Sequence, residues 1–224
     1  MKLLSTSAKL EKSQNDNWLN VVLYLEPSVN YKTICAGASE GCKASCLVNS
    51  GMMRMPKQTE ARIKRTQYYL NDYQGFKAQL VAELSSKLKS AKKQGKRLAA
   101  RLNGTSDLDW SDIYKQFPEV QFYEYTKRAN LAKNLSTIDN LHITMSRNER
   151  TKPERIKMLT SSGVNVAVVF DDKRPMPTSY HGIKVINGDK HDRRFEDKQG
   201  VIVGLKLKGT NAIKDIARAT GFAV

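Results

Sequence analysis

The stretch VQFYEYTKR, residues 120–128, shows the pattern that decides the fold. A short run of β-branched and aromatic residues ends in a polar cluster, as expected for a buried strand followed by a loop. The same pattern recurs in RLAARLNGTSD, LHITMSRNE, VNVAVVFDDK, GIKVINGDKHDRR and VIVGLKLKG. Together with NVVLYLE at residues 20–26, these runs predict about seven strands.

Helical periodicity fills several of the gaps between these strands. A helix is predicted over residues 57–72, and a second begins at Gly75, with apolar residues every three or four positions until Gly95. Shorter helices are predicted over residues 108–117, 129–135 and 153–162. Alternating strands and helices favour βα units around a mostly parallel sheet.

The predicted fold class is therefore α/β, as an incomplete or irregular (β/α) barrel of mostly parallel strands. The barrel is expected to be irregular because residues 171–182 contain two prolines and no helical period. No internal repeat or long linker divides the chain, so residues 1–224 are predicted to form a single domain.

The composition indicates a soluble protein. The chain has 224 residues, of which 40% are apolar and 27% charged, which is ordinary for a globular domain. No apolar run reaches the roughly twenty residues of a membrane span, and the amino terminus lacks a signal-peptide pattern. We therefore expect a cytoplasmic protein without membrane contact, in a reducing compartment that disfavours disulfides.

The chain is strongly basic, with 38 lysines and arginines against 22 acidic residues and a net charge of +16. Such a balance favours polyanions, because neutralising phosphates releases counterions. A solvated, solubilising surface is the alternative. Nucleic acid is thus the partner that the charge predicts, and no obligate protein partner is evident.

Every cysteine of the chain lies in TICAGASEGCKASCLVNSG, residues 33–51, hereafter the cysteine segment. Cys35, Cys42 and Cys46 are spaced C-x6-C-x3-C, and small residues fill the gaps. The segment follows the first predicted strand. In parallel βα folds the loops after the strands share one edge, where sites usually lie.

Three roles for the cysteines remain open from the residues alone. They could be small buried side chains, although three within twelve residues is unusual for that role. A zinc site would need a fourth ligand, and only His142, His181 or His191 could supply it as histidine. A [4Fe–4S] cluster fits best, because thiolates are its usual ligands and three of them leave the fourth iron open or held by another group.

Polar residues after two of the strands are candidate cofactor-binding residues. Asn103, Thr105 and Ser106 follow one strand, although Ser106 or Asp107 could instead cap the next helix.

Glu124 and Lys127 belong to the next strand and are predicted to face opposite sides of the sheet. A buried Glu124 would need a partner, for which Arg101 and Arg147 are the candidates. No catalytic residue can be assigned.

Asp189, His191 and Asp192 together resemble a metal site. A tight Asn-Gly turn with solvated charges is the favoured interpretation of the same residues.

A three-cysteine loop after the first strand of a partial (β/α) barrel resembles the radical S-adenosylmethionine enzymes, whose open iron binds the amino acid end of that cofactor. Those enzymes typically carry C-x3-C-x2-C, shorter than the spacing here. Their glycine-glycine-glutamate stretch is replaced here by LNGTSDLDW.

A closer resemblance is to the bacteriophage gene product eighty-eight family. It covers most of the chain, through CAGASEGCKASC, RLNGTSDLDW, FYEYTKR, ITMSRNE, VAVVF, INGDKHDRRF and GLKLKG. This resemblance implies a phage origin, hence the host cytoplasm, and an iron–sulfur cluster without an assigned reaction. The predicted function is a phage-type [4Fe–4S] protein in electron transfer or a nucleic-acid-associated role. A radical S-adenosylmethionine-like enzyme and a zinc-stabilised nucleic-acid-binding module are the alternatives.

Overall fold

The computed structural model describes residues 1–6 and 17–224. The strands of the described residues are β1 Leu4–Ser5, β2 Trp18–Leu23, β3 Ser28–Val29, β4 Lys32–Thr33, β5 Arg97–Arg101, β6 Gln121–Thr126, β7 Leu141–Ser146, β8 Asn165–Phe170, β9 Ser179–Tyr180, β10 Ile183–Asn187 and β11 Ile202–Lys206. The α-helices are α1 Glu40–Ala44, α2 Pro56–Asn71, α3 Tyr73–Lys93, α4 Ser111–Gln116, α5 Ala129–Leu135, α6 Pro153–Ser161 and α7 Asn211–Ala219. Short 3-10 helices span Leu47–Asn49, Gly51–Arg54 and Arg194–Glu196.

Nine strands form one sheet in the order β1-β2-β5-β6-β7-β8-β11-β10-β9, and β3 and β4 form a separate hairpin. The pairs β2–β5, β5–β6, β7–β8, β8–β11 and β10–β11 are parallel. Only the outer pairs β1–β2 and β9–β10 are antiparallel among the described pairings of this sheet. The predicted α/β class with mostly parallel strands is confirmed, whereas closure into a barrel stays a prediction.

The cysteine segment does not follow the first strand directly. A two-residue strand, β1, precedes β2, and the β3–β4 hairpin lies between β2 and Cys35. Strands of two residues are too short for hydrophobic periodicity to reveal, which explains the difference from the sequence prediction.

The described chain forms two compact units. The first comprises Met1–Cys35, Met55–Glu124 and Ile138–His142, and the second Ala36–Arg54, Tyr125–Thr137 and Ile143–Val224. Each unit is built from several stretches of chain. Whether residues 1–224 behave as a single domain stays a prediction.

The core of the first unit lies where α3 contacts β1 and β5. The helix buries Phe76, Leu80 and Leu84 completely, and burial of such a side chain stabilises a fold by about 1.5–3 kcal/mol. Phe76 also stacks on Trp110, with ring centroids 6.3 Å apart. The periodic apolar residues that predicted α3 are therefore the residues that this helix buries.

The core of the second unit is built on β8 and β11. Helix α6 packs against β8 and buries Ile156 and Leu159. Near the carboxyl terminus, α7 contributes to an apolar cluster of Leu207, Ala217, Phe222 and Ala223. The apolar residues at the end of the chain therefore serve packing.

The predicted helices are observed with small shifts at their ends. Helix α3 begins at Tyr73, two residues before Gly75, because Asp72 caps it by accepting the Gly75 N–H. Gly95, with φ +65°, follows its end in the left-handed conformation. Helix α1 was not predicted from the sequence, since five residues are too few for a periodicity.

Candidate functional site

The three cysteines are outside any disulfide and are of intermediate exposure. Cys35 lies in the first unit, whereas Cys42 and Cys46 lie in the second. Cys42 belongs to helix α1, and Cys46 immediately precedes the 3-10 helix Leu47–Asn49.

The Cys35 end of the segment is tied to the loop after β5. The Cys35 thiol lies 3.6 Å from the carbonyl of Thr105, to which it donates. Next to it, the Ile34 carbonyl accepts the Asp107 N–H at 3.0 Å. Thr105 in turn donates its hydroxyl to the Leu25 carbonyl at 2.5 Å. These contacts fix Cys35 beside the loop that sequence reasoning singled out.

Helix α1 positions Cys42 in the second unit. Ser39 is the N-cap residue, and its side chain accepts the Cys42 N–H at 3.3 Å. The Cys42 side chain packs against the apolar cluster that includes Phe222 and Ala217. A short helix is only marginally stable by itself, so its position depends on such contacts.

Glu149 supplies the strongest polar anchor of this helix. Its carboxylate accepts hydrogen bonds from the Ser39 hydroxyl at 2.6 Å and from the Gly41 N–H at 2.9 Å. Partial burial alone would raise the pKa of Glu149. The hydrogen bonds, led by that from Ser39, outweigh burial and hold this pKa below its usual value.

Glycine at position 41 is a steric requirement of the same site. A Cβ there would lie 2.6 Å from Thr220 Oγ1 and 2.9 Å from Phe222 Cβ. The absence of a side chain allows α1 to approach the carboxyl-terminal residues closely.

The second candidate region is the loop after β5, residues 103–108. Asn103, Thr105 and Ser106 are all buried. The Asn103 side chain organises the loop: its oxygen accepts the Ser106 hydroxyl at 2.8 Å and the Leu108 N–H at 2.9 Å. The next helix, α4, begins at Ser111 with Trp110 as its N-cap residue, so the alternative that Ser106 or Asp107 caps it was wrong.

Glu124 is 1% exposed and holds the start of this loop. Its carboxylate accepts the backbone N–H groups of Leu102 at 2.6 Å and Asn103 at 2.8 Å. Burial raises the pKa of Glu124 to about 7, even though these hydrogen bonds and the Arg101 charge act in the opposite direction.

Two neighbours of Glu124 complete its surroundings. Arg101 stays close enough to interact electrostatically and donates to the carbonyls of Asn103 and Gly104. Burial, reinforced by the Glu124 charge, raises the pKa of Tyr114 well above its usual value. Of the two arginines proposed as partners, Arg101 is the one that acts on Glu124. Arg147 instead donates to carbonyls near the carboxyl terminus.

Lys127 is half-buried and belongs to the second unit, whereas Glu124 belongs to the first.

Of the group Asp189, His191 and Asp192, the first two make contacts within the protein. Asp189 accepts the Lys206 N–H at 2.8 Å and pairs with Lys208 at 2.7 Å. His191 lies next to the buried Arg194, and burial followed by that charge lowers the pKa of His191. These contacts agree with the favoured turn interpretation.

Within residues 1–6 and 17–224, no three His, Cys, Asp or Glu side chains are arranged as a group that could hold a metal ion. In the same part of the chain, no helix is long and apolar enough to cross a membrane.

Glu149 and Ser39 are the residues of the site that sequence reasoning missed. Glu149 belongs to a polar cluster after a predicted strand, which was a usable signal. Its partners Ser39 and Gly41 lie more than 100 residues away along the chain, so no local pattern could have identified them.

A family model described as Gene product 88 matches residues 1–223, and the chain therefore belongs to that family. The family indicated by the sequence motifs is confirmed. No curated protein and no solved structure matches the chain at a significant level.

Proposed function

We propose that this member of the Gene product 88 family is an iron–sulfur protein in which Cys35, Cys42 and Cys46 bind a [4Fe–4S] cluster. One observation carries the proposal: the only three cysteines of the chain fall within twelve residues, and all are partly exposed and outside any disulfide. Thiolates are the usual ligands of such clusters. The host cytoplasm, the proposed location, would keep these thiols reduced.

The donor set fits this group in its chemistry. The described side chains do not form a ready metal-binding group, so the thiols would have to gather around the cluster on binding, as is common for metal sites. Helix α1 supports this proposal, because Glu149 and Ser39 hold the Cys42 backbone in place. A bound cluster would accept and return single electrons.

The proposed ligand-contacting residues are Asn103, Thr105, Ser106, Glu124 and Lys127. In the structure the side chains of Asn103, Thr105 and Ser106 hydrogen-bond to the protein itself. Their proposed contribution is therefore to shape the loop beside Cys35. Glu124, with a pKa of about 7, could exchange a proton near neutral pH.

The proposal is tested by anaerobic purification, with iron, sulfide and zinc analysis and an absorption spectrum before and after dithionite. About four irons and four sulfides per chain are expected, with a band near roughly 400 nm that bleaches on reduction. The variants C35S, C42S and C46S should each lose most of the iron. The variant S45A, in the same segment, should keep it.

Stoichiometric zinc without sulfide would contradict the cluster. It would support the alternative of a zinc-stabilised module, with the three thiols and one further ligand around the metal. If the three cysteine variants bind iron as well as wild type does, both the cluster proposal and the zinc alternative are contradicted.

An enzyme of the radical S-adenosylmethionine type is the second candidate. It is favoured by the strand order, in which β2, β5, β6, β7, β8 and β11 are successive neighbours and the three cysteines lie between β2 and β5 along the chain, after the β3–β4 hairpin. This candidate predicts that the reduced, cluster-loaded protein binds and slowly cleaves S-adenosylmethionine. Absence of binding to a fully loaded protein would exclude it.

A nucleic-acid-associated role rests on the net charge of +16. It predicts binding to DNA or RNA that weakens steeply between low and physiological salt. Equal affinity at both salt concentrations would contradict it. If the metal is purely structural, its removal should abolish this binding together with the fold.

A further inference from the structure

The β3–β4 hairpin of the first unit displays an aromatic side chain at its tip. Val29 pairs with Lys32, so Asn30 and Tyr31 form a two-residue loop between the strands. The relative exposure of Tyr31 is 104%, the highest value among the exposed large apolar side chains of the described residues. The ring therefore lies entirely in solvent.

The backbone at this tip is strained. The φ angle is +48° at Asn30 and +63° at Tyr31, and two successive positive values are typical of the type I′ turns that join hairpin strands. Asparagine tolerates this left-handed conformation, but the second position usually holds glycine, because a bulky side chain is disfavoured there. The hairpin thus keeps a tyrosine where glycine would fold more easily, and strain of this kind clusters at functional sites.

The base of the hairpin is anchored to the first unit. Val29 and Ile34 are buried, and the Ile34 N–H donates to the Pro27 carbonyl at 3.0 Å. Strand β3 also contacts helix α2. The ring is therefore presented from a defined position, and with only two side-chain torsions it loses little conformational freedom on binding.

The surroundings of this ring are basic. Residues 27–35 contain no aspartate or glutamate, and Lys32, the next residue after the ring, is exposed. Helix α2 adds the exposed Lys57, and the only acid of that helix, Glu60, is paired with Lys64. An exposed ring beside cations matches the surfaces on which single-stranded nucleic acids stack their bases while their phosphates meet positive charge.

We propose that Tyr31 is a stacking platform for an unpaired base of single-stranded nucleic acid, with Lys32 beside it for a backbone phosphate. This inference rests on the nucleic-acid-associated role proposed above and assigns one contact of that role to the hairpin. Bases within a duplex are already stacked on both faces, so the ring selects single strands. Stacking tolerates any sequence, because every base has an aromatic face.

The test measures affinity by fluorescence anisotropy with labelled oligothymidylate and oligouridylate of about twelve nucleotides, a length within the usual site size. A DNA duplex of the same length is the third probe. Wild type should bind at least one of the single strands, and Y31A should weaken that binding about tenfold, as expected for the loss of one stacked base. Duplex binding should be equal in the two proteins.

Two further variants separate the ring from the charge. Y31F keeps the aromatic face and removes only the hydroxyl, so its affinity should stay within about twofold of wild type. K32Q removes one positive charge, so it should reduce the slope of log affinity against log salt concentration by about 0.7, the value for one phosphate of a single strand.

Y31G separates binding from folding. Glycine adopts a positive φ without strain, and the fully exposed ring contributes no burial that could be lost. The melting temperature of Y31G should therefore exceed that of wild type by about 2–4 °C, whereas its affinity should be as low as that of Y31A. A more stable protein that binds less tightly would show that the tyrosine is retained for its partner.

Three results would overturn the proposal. If neither single strand binds wild type, the nucleic-acid role fails together with the stacking platform. If Y31A binds single strands as tightly as wild type and with the same salt dependence, the nucleic-acid role stands but the hairpin has no part in it. If Y31F loses as much affinity as Y31A, the hydroxyl makes the contact and the ring does not stack.

Discussion

The carboxylate of Glu149 accepts a 2.6 Å hydrogen bond from Ser39, the residue that begins the helix of Cys42. The same Ser39 oxygen accepts the Cys42 N–H. One acidic side chain therefore holds the backbone of a proposed cluster ligand through a single intervening hydroxyl.

Replacing Glu149 should loosen this helix. The variant E149A removes the acceptor for Ser39 and for the Gly41 N–H, and charge-assisted hydrogen bonds are worth about 1.5–3 kcal/mol each. We expect a loss of about 2 kcal/mol in the free energy of unfolding, measured with urea, and faster hydrogen exchange at the Gly41 amide. E154Q, at an exposed position of α6, should change stability by less than about 0.5 kcal/mol.

The same contact predicts a response to acid. Because the pKa of Glu149 is lower in the folded state, its contribution is complete above the unfolded value of about 4.5 and is lost as pH falls through the folded value. The helix should therefore open in acid in wild type, whereas E149A should show no further opening. Equal exchange at the Gly41 amide in both proteins at neutral pH would contradict this role.

Glu124 predicts the opposite pH dependence. Burial raises its pKa from 4.5 to about 7, so the folded state binds a proton more tightly than the unfolded state. Its contribution is greatest below about 4.5 and declines as pH rises to about 7, by about 3 kcal/mol in total. Glu124 thus stabilises the folded protein most at low pH, whereas Glu149 stabilises it most at higher pH.

The measurement is urea unfolding of wild type and E124Q between about pH 5 and 8. The wild-type value minus the E124Q value should decrease with rising pH and level off above about 7. Subtracting E124Q removes the contributions of other groups, such as His191, whose lowered pKa acts in this range. A difference that does not vary with pH would show that Glu124 has an ordinary pKa.

Local patterns predicted those parts of the fold that depend on neighbouring residues. Strand β6 follows from its run of aromatic and β-branched residues and helix α3 from its 3.6-residue repeat, because most of these residues are the ones that are buried. The position of Glu124 within this predicted strand also identified it as a buried acid that needs a partner. Its main partners are backbone N–H groups at Leu102 and Asn103, which no sequence pattern displays.

Contacts between distant parts of the chain could not be predicted. Ser39 meets Glu149 across 110 residues, and Ser106 bonds to Asn103 and not to a helix end. Sequence reasoning thus identified the cysteines and the loop after β5, but not what holds them.

Replacing Gly41 by alanine should change the stability in the direction opposite to that expected from helix propensity. Alanine is favoured over glycine in a helix by about 1 kcal/mol. At this position a Cβ would lie 2.6 Å from Thr220 Oγ1 and 3.0 Å from Glu149 Oε2. G41A should therefore destabilise the protein by about 1–3 kcal/mol, the usual cost of overpacking.

Thermal or urea unfolding of G41A checks this expectation. K43A is the control in the same helix, since Lys43 is exposed and pairs with the exposed Glu40. It should cost less than about 1 kcal/mol. A G41A protein more stable than wild type would show that α1 can move away from the carboxyl-terminal residues without loss.

The ion pair between Arg62 and Glu26 anchors helix α2 to the chain that follows β2. Arg62 Nε lies 2.9 Å from Glu26 Oε2, and their side chains are only 2% and 17% exposed. Thr66 adds two hydrogen bonds to the Glu26 backbone, at 2.8 and 3.1 Å. The pair belongs to the first unit, near the beginning of the cysteine segment.

Removing one partner of this pair should be costly. E26A leaves the Arg62 charge buried, and such losses are about 3–5 kcal/mol. The control E60A removes an acid from the helix that carries Arg62, but the Glu60–Lys64 pair is more than 60% exposed on both sides, so its loss should leave the stability almost unchanged. The double variant E26M/R62M should recover much of the loss, because an apolar pair carries no unpaired charge. If E26A unfolds at the same urea concentration as E60A, water must reach Arg62 and the pair does not anchor the helix.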